Sequence, residues 1–139
     1  MNLIPGVNVT ASALNAETVR MNVVAENIAN AYTTHSVDGG AYKRKVVSFE
    51  SMLDPASSNA SPGSGTVQVS QIATDNTPGQ MIYEPSNPDA NKDGMVQMPN
   101  VNLSTEMVDL MTASRAYEAN LAVIRNARQM ATKALTIGH

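Results

Sequence analysis

The sequence predicts a mainly α fold with a small β region: N- and C-terminal helices forming an α-helical coiled coil, joined by a short-stranded, β-rich central segment with flexible loops. Three observations predict it. Large apolar residues recur at alternating four- and three-residue steps near both ends of the chain, which is the seam of packed helices. Six of the seven prolines lie between Ala31 and Val101, where that period is lost. Only five aromatic residues (Tyr32, Tyr42, Phe49, Tyr83 and Tyr117) serve 139 residues, so burial falls to Ala, Val, Leu, Ile and nine Met, which suits helices packed along a narrow seam. The expected organisation is 1–32 as the N-terminal helix, 33–101 as the central segment and 102–139 as the C-terminal helix.

In the first segment, Leu3, Val7, Leu14, Met21, Val24 and Ile28 keep the heptad step, interrupted by Thr10 and Glu17. A parallel stripe of Val7, Ala11, Leu14, Met21, Ala25 and Ile28 widens the apolar face beyond what one partner needs. Pro5-Gly6 is expected to stop the helix from extending backward, with Asn8 or Thr10 as its cap, and Asn27 and Asn30 to close its far end and satisfy the following turn.

In the central segment, Gly39-Gly40 signals a turn and Tyr42–Glu50 a strand. The stretch from Pro55 to Gly65 is too poor in large apolar groups to offset the entropy of ordering it, so a flexible loop is expected. Val67–Ala73 alternates as a strand, Asn76–Gly79 reads as a turn, Gln80–Tyr83 as a strand pairing back, and Met95–Met98 as a third.

The last segment is the strongest signal. Leu103, Met107, Leu110, Tyr117, Leu121, Ile124, Ala131 and Leu135 share one register, broken only by Ser114 and Arg128. Val123, Ala127, Met130, Ala134 and Ile137 make a second stripe, so the far half has more than one apolar face. Asn102 or Ser104 caps the start, Glu106 and Asp109 lie early, Arg125, Arg128 and Lys133 lie late, and Gly138 is a stop, all in keeping with the helix dipole. A helix from Leu103 to Ile137 is about 52 Å long, against about 31 Å for Thr10–Asn30. The shorter helix cannot cover the longer one, and each uncovered Leu, Ile or Met forfeits roughly 1.5–3 kcal/mol. Other chains are expected to cover the remainder.

Composition excludes several functions. Without cysteine there is no disulfide framework, thiolate metal site or cysteine nucleophile. A net charge of -3, with Lys43-Arg44-Lys45 as the only cationic run, gives no footprint for nucleic acid. That run reads as a solvated strand end. No apolar stretch approaches a bilayer span, so no direct membrane insertion is expected, and the absence of Lys or Arg before Arg20 speaks against a secretory signal. Asp89-Ala-Asn-Lys-Asp-Gly94 matches the opening of a calcium loop, but Asn100 stands where the bidentate Glu belongs and Pro88 and Pro99 bracket it. A polar turn is the expectation, and no metal or cofactor is assigned. His35 and His139 read as solvated, Glu50/Asp54 and Glu106/Asp109 as surface charge, and the Asn-x-Ser/Thr triplets at Asn8, Asn59 and Asn102 carry no weight. No nucleophile, base and oxyanion donor are grouped, so no catalytic residues are expected.

Several segments are identifiable. Met21-Asn22 followed by Asn27-Ile-Ala-Asn-Ala31 resembles the N-terminal signature of the bacterial flagellar rod, hook and hook-associated axial proteins. Gly40–Val47, Tyr83-Glu-Pro85, Asn87–Ala90, Met98-Pro-Asn-Val-Asn102, Glu106–Asp109 and Ala113–Asn120 together are similar to its proximal-rod branch, with Pro55–Gly65 matching least. The motif positions carried over are Asn27, Asn30, Pro99, Asn100, Arg115, Tyr117 and Asn120.

The resemblance implies a structural subunit of the basal body, exported unfolded through the flagellar type III apparatus without a cleaved signal. It further implies polymerisation into the rod, a periplasmic drive shaft whose inner coiled-coil layer encloses the export channel. The implied partners are other copies, the rod proteins FlgB, FlgF and FlgG, the FliE adaptor to the MS ring and the export apparatus. The expected subunit interface is Leu14, Met21, Val24 and Ile28 on the first helix with Leu103, Met107, Leu110, Tyr117, Leu121, Ile124 and Leu135 on the second. The competing expectation is a soluble coiled-coil adaptor or binding module.

Overall fold

The computed structural model describes residues 5–37, 39–52 and 65–137. The elements run α1 (Pro5–Ala29), β1 (Lys45–Met52), β2 (Thr66–Thr74), β3 (Met81–Tyr83), β4 (Met95–Gln97) and α2 (Leu103–Ile137). The fold is mainly helical with two small antiparallel strand pairs, as the periodicity predicts. Leu3, Asp54, Asn59, Gly138, His139 and the Pro55–Gly65 loop apart from Gly65 lie outside the described residues.

Helix α1 starts earlier than expected. Proline is barred from helix interiors because it lacks the N–H and crowds the preceding turn, but the first turn needs neither. Pro5-Gly6 therefore opens the helix instead of stopping it. Thr10 is no cap; its hydroxyl donates to the Gly6 carbonyl one turn back, 2.7 Å away. At the other end Asn30 behaves as predicted, its Nδ2 donating to the Glu26 carbonyl at 2.9 Å. For α2, Asn102 is the cap, its Oδ1 accepting the Thr105 N–H.

The two helices pack antiparallel, tied by Asn27 to Glu106 and by Arg20 to Asp109. Their contact is centred on small side chains: Ala16, Val23, Val24 and Ala113 are buried, the last completely. The heptad reading of large residues missed this centre by about one position, because alanines at a close helix crossing bury backbone that bulkier residues would hold apart. Ala25, placed on the second stripe, is exposed.

The strands pair differently from the expectation. β1 begins at Lys45, after a turn in which Gly39 and Gly40 take φ of 83° and 78°. It pairs with β2 from Lys45↔Thr74 to Met52↔Thr66, with a bulge between Ser48 and Phe49 that leaves Ser70 without an opposite residue. This hairpin lies along α1. Lys45 meets Asn27 at one end, and the Val67 N–H donates to the Ser12 hydroxyl at the other. From Asn27 back to Ser12 the helix rises about 22 Å, and from Lys45 to Ser51 the strand rises about 20 Å, so the two run in step. The bulge adds twist, which lets the strands follow the helix.

Asn76–Gly79 makes no hairpin turn, and β3 pairs with β4, not with β2. The cause is a close approach. A Cβ on Gly79 would overlap the Met98 carbonyl, so the chain passes there only as glycine and is delivered alongside 95–98. The Met98 N–H then donates to the Gln80 carbonyl at 2.8 Å, extending the ladder Met81↔Gln97, Ile82↔Val96 and Tyr83↔Met95. Val96 is buried, whereas Met81, Ile82 and Tyr83 are exposed.

The Asp89–Gly94 segment folds as the expected polar turn. Asn91 Oδ1 accepts the N–H groups of Asp93 and Met95, and Gly94 takes φ of 73°. Asp89 ties this turn to the α1–β1 connection through Thr34 and His35, at 2.8 and 3.2 Å. Among the described residues no helix is long and apolar enough to cross a membrane.

Gly79→Ala is expected to shift the thermal midpoint well below that of Gly39→Ala. The second substitution meets open space and costs only the left-handed backbone, about 1–2 kcal/mol, whereas the first must also move the 95–98 backbone.

Candidate assembly site: a polar junction and the helix faces it presents

The end of α1, the start of β1 and the start of α2 meet at Asn27, a buried side chain that uses all four of its hydrogen bonds. Its Oδ1 accepts the Lys45 N–H at 2.9 Å, and its Nδ2 donates to the Lys45 carbonyl at 2.9 Å. An amide side chain thus reproduces both bonds that a neighbouring strand would make to β1. The remaining capacity accepts the Tyr42 hydroxyl at 2.9 Å and donates to Glu106 Oε2 at 3.0 Å. Asn27 was expected to close the helix locally; it instead anchors a strand 18 residues away.

Glu106 was expected on the surface and is fully buried. A buried carboxylate is costly unless paired and hydrogen-bonded, and both oxygens are engaged. Oε2 takes the Asn27 amide, and Oε1 takes Arg44 Nε at 2.5 Å. Arg44 continues to Asp109 at 3.7 Å, and Asp109 reaches Arg20 of α1 at 3.6 Å. Asn100 completes the frame: its Oδ1 accepts the Arg44 N–H at 2.7 Å and its Nδ2 donates to the Asp75 carbonyl. Of the cationic run only Arg44 turns inward; Lys43 is exposed, its Nζ donating to Asn76 at 3.0 Å, and Lys45 lies part-exposed on Glu26 at 2.5 Å, so the two lysines keep the solvated strand end that was expected.

Burial, with the charges of Glu26 and Glu106 nearby, pushes the Tyr42 hydroxyl up from 10.0 to about 12. The phenol donates to Asn27 only while protonated, so the junction is complete across the neutral range.

The junction sets how the helices stand, and their lengths determine what stays open. Of the stripe residues, Val24 is buried; Leu14, Met21, Ile28, Leu103, Leu110, Tyr117, Leu121 and Ile124 are half-buried; Met107 and Leu135 are exposed. Of the motif residues, Asn27 and Pro99 are buried, Asn30, Asn100, Tyr117 and Asn120 half-buried and Arg115 exposed. Along the outer side of α2, Met107, Val108 and Met111 stand exposed together. Counted antiparallel from the Asn27–Glu106 bond, Pro5 comes level with about Arg128, and the end of α2 projects beyond it. Leu135 shows the effect: about five full turns after Tyr117 and on the same side, it is 74% exposed. Among the described residues no three His, Cys, Asp or Glu side chains converge as metal ligands would.

Comparison with known proteins agrees with this geometry. A family described as "Flagella basal body rod protein" matches residues 8–34, covering α1 through the Asn27 anchor. A second, "Flagellar basal body rod FlgEFG protein C-terminal", matches residues 92–137, covering β4 and α2. The flagellar basal-body rod protein FlgC of Bacillus subtilis (strain 168) is 42% identical over 99% of both chains. The chain belongs to the FlgC family of flagellar basal-body rod proteins. FlgC of Escherichia coli O6:H1 is 41% identical and that of Salmonella typhimurium 40%, each over 94% of both chains. As a FlgC-family member the chain is a structural subunit of the basal-body rod.

The sequence reading missed the junction as a unit. A signal was present beside the stripes read above: the line Ile124, Tyr117, Ala113 leads back to Glu106, and the line Ala16, Val23 leads on to Asn27. Polar residues in register with two core stripes mark a buried pair.

Asn27→Asp keeps the shape but removes both donor bonds and sets a second carboxylate against Glu106. It is expected to cost about 2–4 kcal/mol, read from the urea midpoint. A second expectation concerns alkaline pH. The folded Tyr42 holds its proton more tightly than the unfolded chain does, so its contribution is complete below pH 10 and declines as pH rises toward about 12. Urea titrations across that range should show a steeper loss for the native chain than for Tyr42→Phe.

Proposed function

We propose that this chain polymerises through its two helices into the proximal part of the rod, as a structural element and not a catalyst. In this reading the helices form the inner layer around the export channel and the rod acts as a periplasmic drive shaft carrying torque toward the hook. The interface consists of the stripes Leu14, Met21 and Ile28 with Leu103, Met107, Leu110, Tyr117, Leu121, Ile124 and Leu135, while Val24 of the same stripe is buried within the chain and holds α1 on α2. The neighbours are further copies together with FlgB, FlgF and FlgG, and FliE joins the rod to the MS ring. Delivery is by the type III export apparatus without a cleaved signal.

One observation carries the proposal: the chain buries one side of α2 and leaves Met107, Val108, Met111, Val123 and Met130 exposed on the same helix. A row of apolar side chains this long on a helix fixed by a buried ion pair suits contact with other subunits. Contacts between rigid helices at staggered levels would resist bending and twisting, as a shaft requires.

Leu121→Asp and Ile124→Asp are expected to abolish rod assembly, seen as loss of motility and of the rod in isolated basal bodies, while export continues. Both side chains also support the α1–α2 contact, so Met111→Asp on the outer side serves as the second test. Its isolated chain should melt as the native one does and still fail to assemble. Normal motility in all three variants would overturn the proposal.

A further inference from the structure

Sulfur chemistry in this chain belongs to methionine alone, since there are nine Met and no Cys. A two-electron oxidant that reaches the protein therefore meets thioethers and no thiol. The described methionines divide by exposure. Met21, Met95 and Met98 are half-buried, whereas Met52, Met81, Met107, Met111 and Met130 are exposed.

Two of the exposed five share a setting that the others lack. Met107 and Met111 stand one turn apart on the outer side of α2, 47% and 56% exposed, with Val108 exposed beside them. Arg115 follows one further turn along the same line and is exposed as well. The helix is held firmly at this point, because Glu106, next to Met107, is the buried carboxylate that pairs with Arg44.

We propose that Met107 and Met111 form an oxidation site whose state decides whether the outer side of α2 joins another subunit. The oxidant is a peroxide. In hydrogen peroxide the O–O bond breaks as the thioether sulfur takes one oxygen; the other leaves as hydroxide and collects the proton of the first as water. Sulfur loses two electrons, and the peroxide gains them. A dithiol reductant reverses the step, giving back two electrons as it closes to a disulfide while the oxygen leaves as water.

The product is a polar side chain where an apolar one stood. On the free subunit the new oxygen faces water, and Arg115, one turn beyond Met111, supplies a donor to it. In a dry contact with another subunit the same oxygen is buried without a partner, which opposes association. The pair is thus open to oxidation before assembly and covered after it. The inference rests on the assembly reading above and adds a reversible chemical control to that surface.

The first test is chemical. The purified native chain is treated with hydrogen peroxide and mapped by peptide mass spectrometry, where Met107 and Met111 should gain oxygen several-fold faster than Met95 and Met98. Methionine sulfoxide reductase with dithiothreitol should remove it. Melting followed by circular dichroism should be the same before and after. Equal rates at the four positions, or a melting transition lost in the oxidised native chain and kept in an oxidised Met107→Leu, Met111→Leu chain, overturns the site.

The second test is made in cells. Met107→Leu with Met111→Leu removes the sulfur and keeps the surface apolar, and leaves Met52, Met81 and Met130 open to oxidation. This variant should swim as the native chain does and keep building rods under a peroxide challenge that lowers the native yield several-fold. Equal sensitivity of the two chains overturns the proposal. Met107→Gln with Met111→Gln imitates the added oxygen and should melt normally yet form no rod. If it swims while Met111→Asp does not, the oxidation control fails and the assembly reading stands; if both swim, both fail.

Discussion

The structure depends on one side-chain amide doing the work of a strand. β1 leaves the α1–β1 connection with its first N–H and carbonyl facing Asn27, and Asn27 satisfies both while also holding Tyr42 and Glu106. Aspartate would lose the donors, glutamine would reach too far, and serine has one donor where the site needs two. With that amide in place, the hairpin runs in step with α1 and Glu106 finds its partner in Arg44. The antiparallel setting of the helices follows.

A charge buried at a helix start is an expensive way to hold a fold, and apolar residues of like volume often do as well or better. What the ion pair supplies is register. Leu and Ala stripes slide by a heptad at modest loss, whereas Glu106 shifted one turn along Asn27 leaves a bare carboxylate in the interior. A subunit that must present its outer surface at a fixed height needs that penalty for misplacement, and α2 carries its exposed Met107, Val108 and Met111 within about a turn and a half of Glu106.

Both helices, the polar turn at Asp89–Gly94 and the two long strands were legible from the sequence, because each follows from local period or turn chemistry. The strand partners were not. β3 joins β4 because Gly79 lets two backbones pass in contact, a fact about space that no run of residues displays. The core face was misplaced by about one position because Ala16 and Ala113 weigh little on a hydropathy scale yet sit where the helices approach. The site was the least legible part. Arg44 and Glu106 are ordinary surface residues by type, and only the fold reveals that they neutralise each other.

The bond between Asn27 and Glu106 joins residues 79 positions apart. Its consequence is kinetic. Closing so long a loop is slow: Asn27 meets Tyr42 and Lys45 only 15 and 18 positions away, but Glu106 finds its partners no nearer than Arg44, 62 positions back, so nothing local locks the two helices together. α1 can gather β1 and β2 on its own, but the α2 end keeps Glu106 without its partners until the rest of the chain is in place. Docking of α2 is therefore the late event, and the helix pair acquires its fixed register only when both ends of the chain are present.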